Sequence, residues 1–253
     1  MTRRARVLLF VASAALLAVT LGFALSGLPG YDAPLGRYAA YVVHHAVGQR
    51  GATNTVMAVT FDYRALDTLG EEFMIFAAAV GTAVLLRVGR DEREDKRAAA
   101  LEDRRAPDTS DVLRKLGGAF APLTVVLGVY VVAHGHLTPG GGFQGGVVLA
   151  ATLLFTYVAG RALATRRVNP IDTAELIEAA GAGGFVLVGL GGLVFGAAFL
   201  ENFLGYGKPG SLLSGGTIPL GNVAVGVEVA GAFTLVLVEF LDQVVLVRGS
   251  RER

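Results

Sequence analysis

The chain has 253 residues, of which 53% are apolar and only 17% charged, with a formal net charge of +1, and its mean hydropathy is +0.57. Soluble domains carry about 25% charged residues, so the composition excludes an ordinary soluble enzyme or binding module. The lack of cysteine excludes disulfides, iron–sulfur clusters and thiolate metal sites, and any redox chemistry must belong to a partner.

Crossing a bilayer takes about 20 consecutive apolar residues. Runs of near that length fall in chain order at 7–29, 117–133, 143–160, 179–200 and 218–238. A sixth, 73–86, reaches spanning length when its helix begins near Asp67, which sets Asp67 and Glu71 at or inside the membrane boundary. The expected fold is therefore all-α, a polytopic membrane protein of about six transmembrane helices. The Arg-rich start and Ala24-Leu25-Ser26 also resemble a signal peptide, but the first apolar run exceeds the ~7–15 residues of a signal core, and an uncleaved anchor is expected.

Alternating the sides of these spans puts all but four of the 22 basic residues on one side; Arg37, Arg50, Arg64 and Lys208 fall opposite. Basic residues mark the cytoplasmic face, so both termini are expected in the cytoplasm. The stretch 90–110, dense in charge of both signs, divides the chain into a two-span part, 1–89, and a four-span part, 111–253. It reads as a solvated linker, or as a docking surface for a cytoplasmic partner. The chain shows no internal repeat, P-loop, zinc motif or nucleic-acid module.

The run His134 to Gly146, HGHLTPGGGFQGG, interrupts two apolar stretches. Non-helical backbone between spans is tolerated where it is buried in protein or lines a wet cavity. Pro139, Gly140, Gly141 and Gly142 shape the turn, with glycine allowing close backbone approach, and Gln144 is placed to bond freed backbone groups. His134 and His136 point to different sides at i, i+2 and have no evident third ligand, so no metal site is expected. They anchor the turn, or one of them serves as a proton relay. His44 and His45 fall in an amphipathic outer segment and suggest only interface anchoring.

Among the acids, Asp62, Arg64, Asp67 and Glu71 form the richest polar group. Asp67 and Glu71 share one helix face at i, i+4, and ionisable residues inside a membrane point to an ion path. The competing reading is that Arg64 pairs with Asp62 or Asp67 to fix a helix start. Glu228 stands alone in the last span, with Glu239 on nearly the same face roughly 16 Å further along. Glu228 is either an ion-path residue or a carboxyl bonded to a neighbouring helix or protein partner. Glu239 and Asp242 are expected to form a boundary partnership with Arg248. Asp172, Glu175 and Glu178 follow Asn169-Pro170 and read as helix-start chemistry, Glu178 being the deepest.

The run 134–146 and its flanking spans resemble the B subunit of the multisubunit Mrp/Mnh-type sodium/proton antiporter, over residues 111 to 247. The segment Val59 to Glu71, VTFDYRALDTLGE, is similar to a stretch near the C-terminus of that antiporter's large A subunit, which also occurs in the small E subunit of membrane-bound hydrogenases. The resemblance implies a fusion of an A-type tail with a B-type subunit. It also implies a place in a large membrane assembly related to respiratory complex I.

Three functions follow as expectations. The first is a subunit of a monovalent cation (sodium)/proton antiporter in the cell membrane, not an enzyme and without cofactors, whose partners are other antiporter subunits and whose cargo is sodium ions and protons. Its ion-path candidates are Asp62, Arg64, Asp67, Glu71 and Glu228. The second is an ion-pumping subunit of a membrane-bound hydrogenase or complex-I-like oxidoreductase. The third is a structural adaptor between transporter subunits.

Overall fold

The computed structural model describes residues 3–30, 33–86, 110–159 and 170–251; side chains from 242 onward are not described. Among these residues every regular element is a helix. The chain falls into two compact units, Met1–Tyr41 and Val42–Arg253. The first holds α1 (Arg3–Ser26), an apolar helix exposed along nearly its whole length. Helix α2 (Arg37–Arg50) runs across the boundary between the units.

In the second unit a short α3 (Thr55–Ala58) passes directly into a π-helical turn, Val59–Tyr63. Asn54 starts α3 by accepting a bond from the Val56 N–H at 3.1 Å. The π turn closes with Arg64 N–H on the Val59 carbonyl at 2.8 Å, and Arg64 leaves helical geometry (φ −137°, ψ 36°). The chain then re-enters a helix as α4 (Ala65–Leu86). Helices α5 (Asp111–Ala133), α6 (Gly142–Val158), α7 (Pro170–Phe195) and α8 (Ile218–Arg251) follow. Ser110 caps α5 by accepting from the Leu113 N–H.

Helix α8 is the centre of the unit: it packs along α7, α6 and α4, while α5 pairs mainly with α6. Two apolar clusters form around it. One lies at the end carrying the α5–α6 turn, the turn end, and includes Ala46, Met57, Phe61, Phe185, Val225 and Val229. The other lies towards the opposite end and joins Ala79, Ala83, Ile171, Ala174, Ala232 and Leu235.

Helices α1, α4, α5, α7 and α8 are long and apolar enough to cross a membrane, and α6 is a shorter apolar helix. The expected six spans thus correspond to five long helices and one short one. Helix α4 begins at Ala65, the early start that spanning length requires. The run read as 179–200 is instead the helix Pro170–Phe195, because its acidic first turns are already helical. It ends where the Glu201 carboxylate accepts from the Ala197 and Ala198 N–H groups. The linker 90–109 and Asn169 lie outside the described residues, as do the side chains of Asp242 and Arg248.

Candidate functional site

Three carboxyl side chains sit between the two apolar clusters. The buried stripe of α4 is Ala65, Thr68, Glu72, Ala79 and Ala83, a 3–4 spacing that keeps one face inward. Glu72 occupies a core position of that stripe and is 2% exposed. Thr68, one turn earlier, donates to the Thr60 carbonyl at 2.6 Å and so holds α4 against the π turn.

On α7 the inward positions are Ile171, Ala174, Glu178, Gly181 and Phe185; on α8 they include Val225, Glu228, Ala232, Leu235 and Glu239. The two helices cross on glycine. A Cβ added at Gly181 would lie 2.6 Å from Glu228 Cβ, and one added at Gly231 would lie 2.8 Å from Glu178 Cα. Each acid therefore has a glycine of the facing helix against its backbone, the small-residue contact by which membrane helices approach closely. Glu178 and Glu228 are 1% and 0% exposed.

Both oxygens of Glu72, both of Glu228 and Oε1 of Glu178 are buried without a hydrogen-bond partner among the described residues. Buried polar groups are nearly always paired, and an ionised carboxylate left alone in a low-dielectric interior is costly. Each of these acids must hold a proton, meet a cation, or be completed from outside the described chain. No three His, Asp or Glu side chains among the described residues converge on one point. The acids are separate stations and not one chelating centre.

The turn end is built differently. Asp62 is held by Arg50 Nε at 2.9 Å and accepts from Asn202 Nδ2 at 3.1 Å and the Tyr206 hydroxyl at 3.2 Å. Arg50 also donates to the Tyr206 hydroxyl at 2.5 Å and lies 4.7 Å from the centre of the Tyr63 ring. Burial opposes the Arg50 charge, but Asp62 and the two tyrosines outweigh it and raise its pKa; burial and Asp62 together raise that of Tyr206. Asn202 continues the network to the Gly215 carbonyl and the Thr217 N–H, tying the 196–217 loop to the π turn.

The α5–α6 turn hangs on two asparagines. Asn222 of α8 accepts from the Gly142 N–H at 2.6 Å and donates to the Val132 carbonyl. Asn54 donates to the Gly135 and Thr138 carbonyls at 2.7 and 2.9 Å. Gly140 and Gly141 have φ of 138° and 146°, conformations open to glycine but rarely to other residues. Pro139 and Gln144 are exposed, and the freed backbone groups are bonded by Asn222 and Asn54, not by Gln144.

The sequence candidates divide accordingly. Glu228 is central and buried. Asp62 is mostly buried but paired with Arg50. Arg64 instead pairs with Asp67 on the exposed side of α4, and Glu71 lies exposed on that side, one residue from buried Glu72. His134 stacks on Tyr130, whereas His136 is fully buried; His44 and His45 are exposed. Sequence reasoning did not single out Glu72, Asn222, Asn54 or Asn202, and it read Glu178 as helix-start chemistry.

The chain is similar to known proteins in sequence and in fold. Residues 112–235 match the family model of domains related to the MnhB subunit of the Na+/H+ antiporter. The B subunit of the Na+/H+ antiporter of Bacillus subtilis is 33% identical over 101 residues, 39% of this chain and 68% of that protein. The A/B subunit of a probable K+/H+ antiporter of Rhizobium meliloti is 27% identical, over 81% of this chain but only 22% of its own length. Among solved structures, a chain of the Mrp complex from Dietzia sp. superposes with a TM-score of 0.69 at 27% identity, covering 94% of this chain and 26% of that one. A chain of the membrane-bound sulfane sulfur reductase, an archaeal respiratory membrane complex, gives 0.68 at 28% identity, covering 93% and 98%.

Proposed function

Because this chain belongs to the family of MnhB-related subunits of Na+/H+ antiporters, we propose that it works inside a multisubunit monovalent cation/proton antiporter and supplies buried carboxyls to the ion path. The observation that carries this reading is the layer of Glu72, Glu178 and Glu228, buried and incompletely bonded between two apolar clusters. Acids inside a membrane protein are costly to maintain for structure alone. A carboxyl that alternates between a proton and a cation performs the elementary act of exchange.

The chain joins an A-tail-like part to a B-like part. The long match to the Rhizobium A/B protein supports this. Asp67 and Glu71 stand on a side of α4 otherwise made of apolar residues such as Met74 and Ala78, exposed within this chain. Acids on such a face require a protein neighbour, and a partner subunit there would bring Arg64, Asp67 and Glu71 into the path. The side bearing Arg37, Arg50, Arg64 and Lys208 faces outward and both termini lie in the cytoplasm of a cell membrane, as the basic-residue bias supports; reporter fusions at each terminus test this. The relatives are named for sodium in one case and potassium in another, so exchange should be assayed with both.

A second reading is an ion-pumping subunit of a redox-driven complex, favoured by the likeness to nearly all of one chain of the sulfane sulfur reductase. Purification of the tagged chain in mild detergent, with mass spectrometry of what it retains, separates the two. Antiporter subunits without iron–sulfur or nickel partners are expected; redox subunits would move the assignment, and recovery of the chain alone would count against both.

A further inference from the structure

Three acids follow one another along the start of α7 at a spacing of three residues, and their burial deepens in order. Asp172 is exposed, Glu175 is half-buried, and Glu178 is buried with Oε1 unbonded among the described residues. Residues at i, i+3 on a helix are neighbours, with about 5–6 Å between their Cβ atoms. Each step also turns about 60° around the axis, so the row winds from the outer face of α7 to its seam with α8. The Glu175 charge acts on Glu178, which sets the two carboxyls within each other's field. Acids in a first turn offset the helix dipole, but that effect fades beyond the turn. Glu175 and Glu178 lie five and eight residues past Pro170, so dipole compensation does not account for them.

The row ends at the buried layer. Helices α7 and α8 run antiparallel here, with Gly181 against Glu228 and Gly231 against Glu178. Glu178 is thus offset from Glu228 by three residues, or about 4.5 Å along the seam. The apolar cluster at this end joins Ile171 and Ala174 of α7 to Ala79 and Ala83 of α4 and to Ala232, Leu235 and Val238 of α8. The buried titratable side chains that the packed helices add to this core are Glu72 of α4 and Glu228 and Glu239 of α8. The row presents its carboxyls one after another, and no three acidic or histidine side chains converge among the described residues. A proton needs a single oxygen, whereas a bare hard cation needs several at once.

We propose that Asp172, Glu175 and Glu178 form a proton row that links the buried layer to water at the end where α7 begins. The inference rests on the antiporter reading and deepens it, naming the ion that Glu178 handles and the face it serves. Hydronium gives a proton to the half-buried Glu175 carboxylate and leaves as water. Glu175 passes that proton to the ionised Glu178 one turn inward, directly or through one water, and is a carboxylate again. Release runs the same steps backward. Asp172 stays ionised at the surface, where its field gathers protons. In the orientation proposed above, this end faces the cytoplasm.

The test uses the intact complex in everted membrane vesicles, which expose this end to the medium, with a fluorescent pH probe and pulses of sodium or potassium chloride. Glu175→Gln keeps size and polarity but cannot titrate. It should slow exchange by roughly tenfold and change the shape of the rate profile against medium pH, where a packing defect would scale the whole profile evenly. Glu175→Asp should restore most of the rate and the wild-type shape. Asp172→Asn, at an exposed position, should slow exchange about two- to threefold with the complex assembled. Wild-type rate and profile in assembled Glu175→Gln, alongside slow Glu178→Gln, would overturn this inference and leave the antiporter reading standing. Loss of assembly in Glu175→Gln, together with a lower unfolding temperature but unchanged exchange in Asp172→Asn, would assign the row to helix-start chemistry and also overturn it. A wild-type complex that exchanges neither cation would remove both.

Discussion

Two sets of polar side chains in the same bundle obey opposite rules. At the turn end, Asp62 meets a guanidinium, an amide and a phenol, and Asn222 satisfies a freed N–H and a freed carbonyl. Deeper in the bundle, Glu72, Glu178 and Glu228 are about as fully buried as Asn222 yet lack partners for most of their oxygens. Hydrogen-bonded polar groups fix a single geometry. Unsatisfied ones hold a protonation or binding state in reserve, which a transporter needs and a scaffold does not. On the proposed reading, incomplete bonding under full burial, and not charge alone, marks the acids of the ion path.

The contrast can be broken most forcefully at Glu228. Glu228→Gln preserves size and removes titration, and cation-driven proton movement should fall by tenfold or more with the complex still assembled. Filling the crossing should act next. Gly181→Leu drives a side chain into the Glu228 backbone, and we expect a loss of about 1–3 kcal/mol, read as a lower unfolding temperature in detergent together with slower exchange. The turn-end residues should respond in stability first. Asn222→Ala strands Gly142 N–H and Val132 carbonyl, and Asp62→Asn leaves Arg50 without its counter-charge. Each should cost about 1–3 kcal/mol, and unchanged unfolding temperatures would contradict the structural assignment.

A pH effect sharpens the comparison further. His136 has its pKa lowered by burial, so the unfolded chain binds its proton more readily. Stability from this group is full above its unfolded value of about 6.5 and is lost as pH falls through the lower folded value. His136→Gln should flatten that acid limb in thermal scans. The smallest effect belongs to the exposed Arg64–Asp67 pair, where Arg64→Gln should change chain stability by no more than about 1 kcal/mol. A larger exchange defect there would point to a partner subunit covering that face.

Much of the architecture could be read from hydropathy, since a span needs only length and apolarity. Glu228 was legible as the lone acid in a long apolar run. Glu72 was not, because Glu71 beside it completes an i, i+4 pair with Asp67 and drew the eye to the wrong face for burial. The small-residue period Ala65, Thr68, Ala79 and Ala83 carried the missing signal. Glu178 was masked by its neighbours, as three acids after Asn169-Pro170 look like dipole compensation; Gly181 one turn on marked the close crossing. Asn222 could have been noticed as a lone amide in an apolar span. The bonds from Asn202 and Tyr206 to Asp62 bridge 140 and 144 residues, and no local pattern encodes a contact of that range.

The central claim is that the incompletely bonded acids carry ions and the satisfied ones carry structure. The most direct measurement is cation-driven proton exchange in vesicles holding the assembled complex with Glu72→Gln, Glu178→Gln and Glu228→Gln combined. The account predicts exchange reduced to background while assembly and unfolding temperature stay near wild type. Exchange at the wild-type rate in that triple variant would contradict it and leave this chain as an adaptor between transporting subunits.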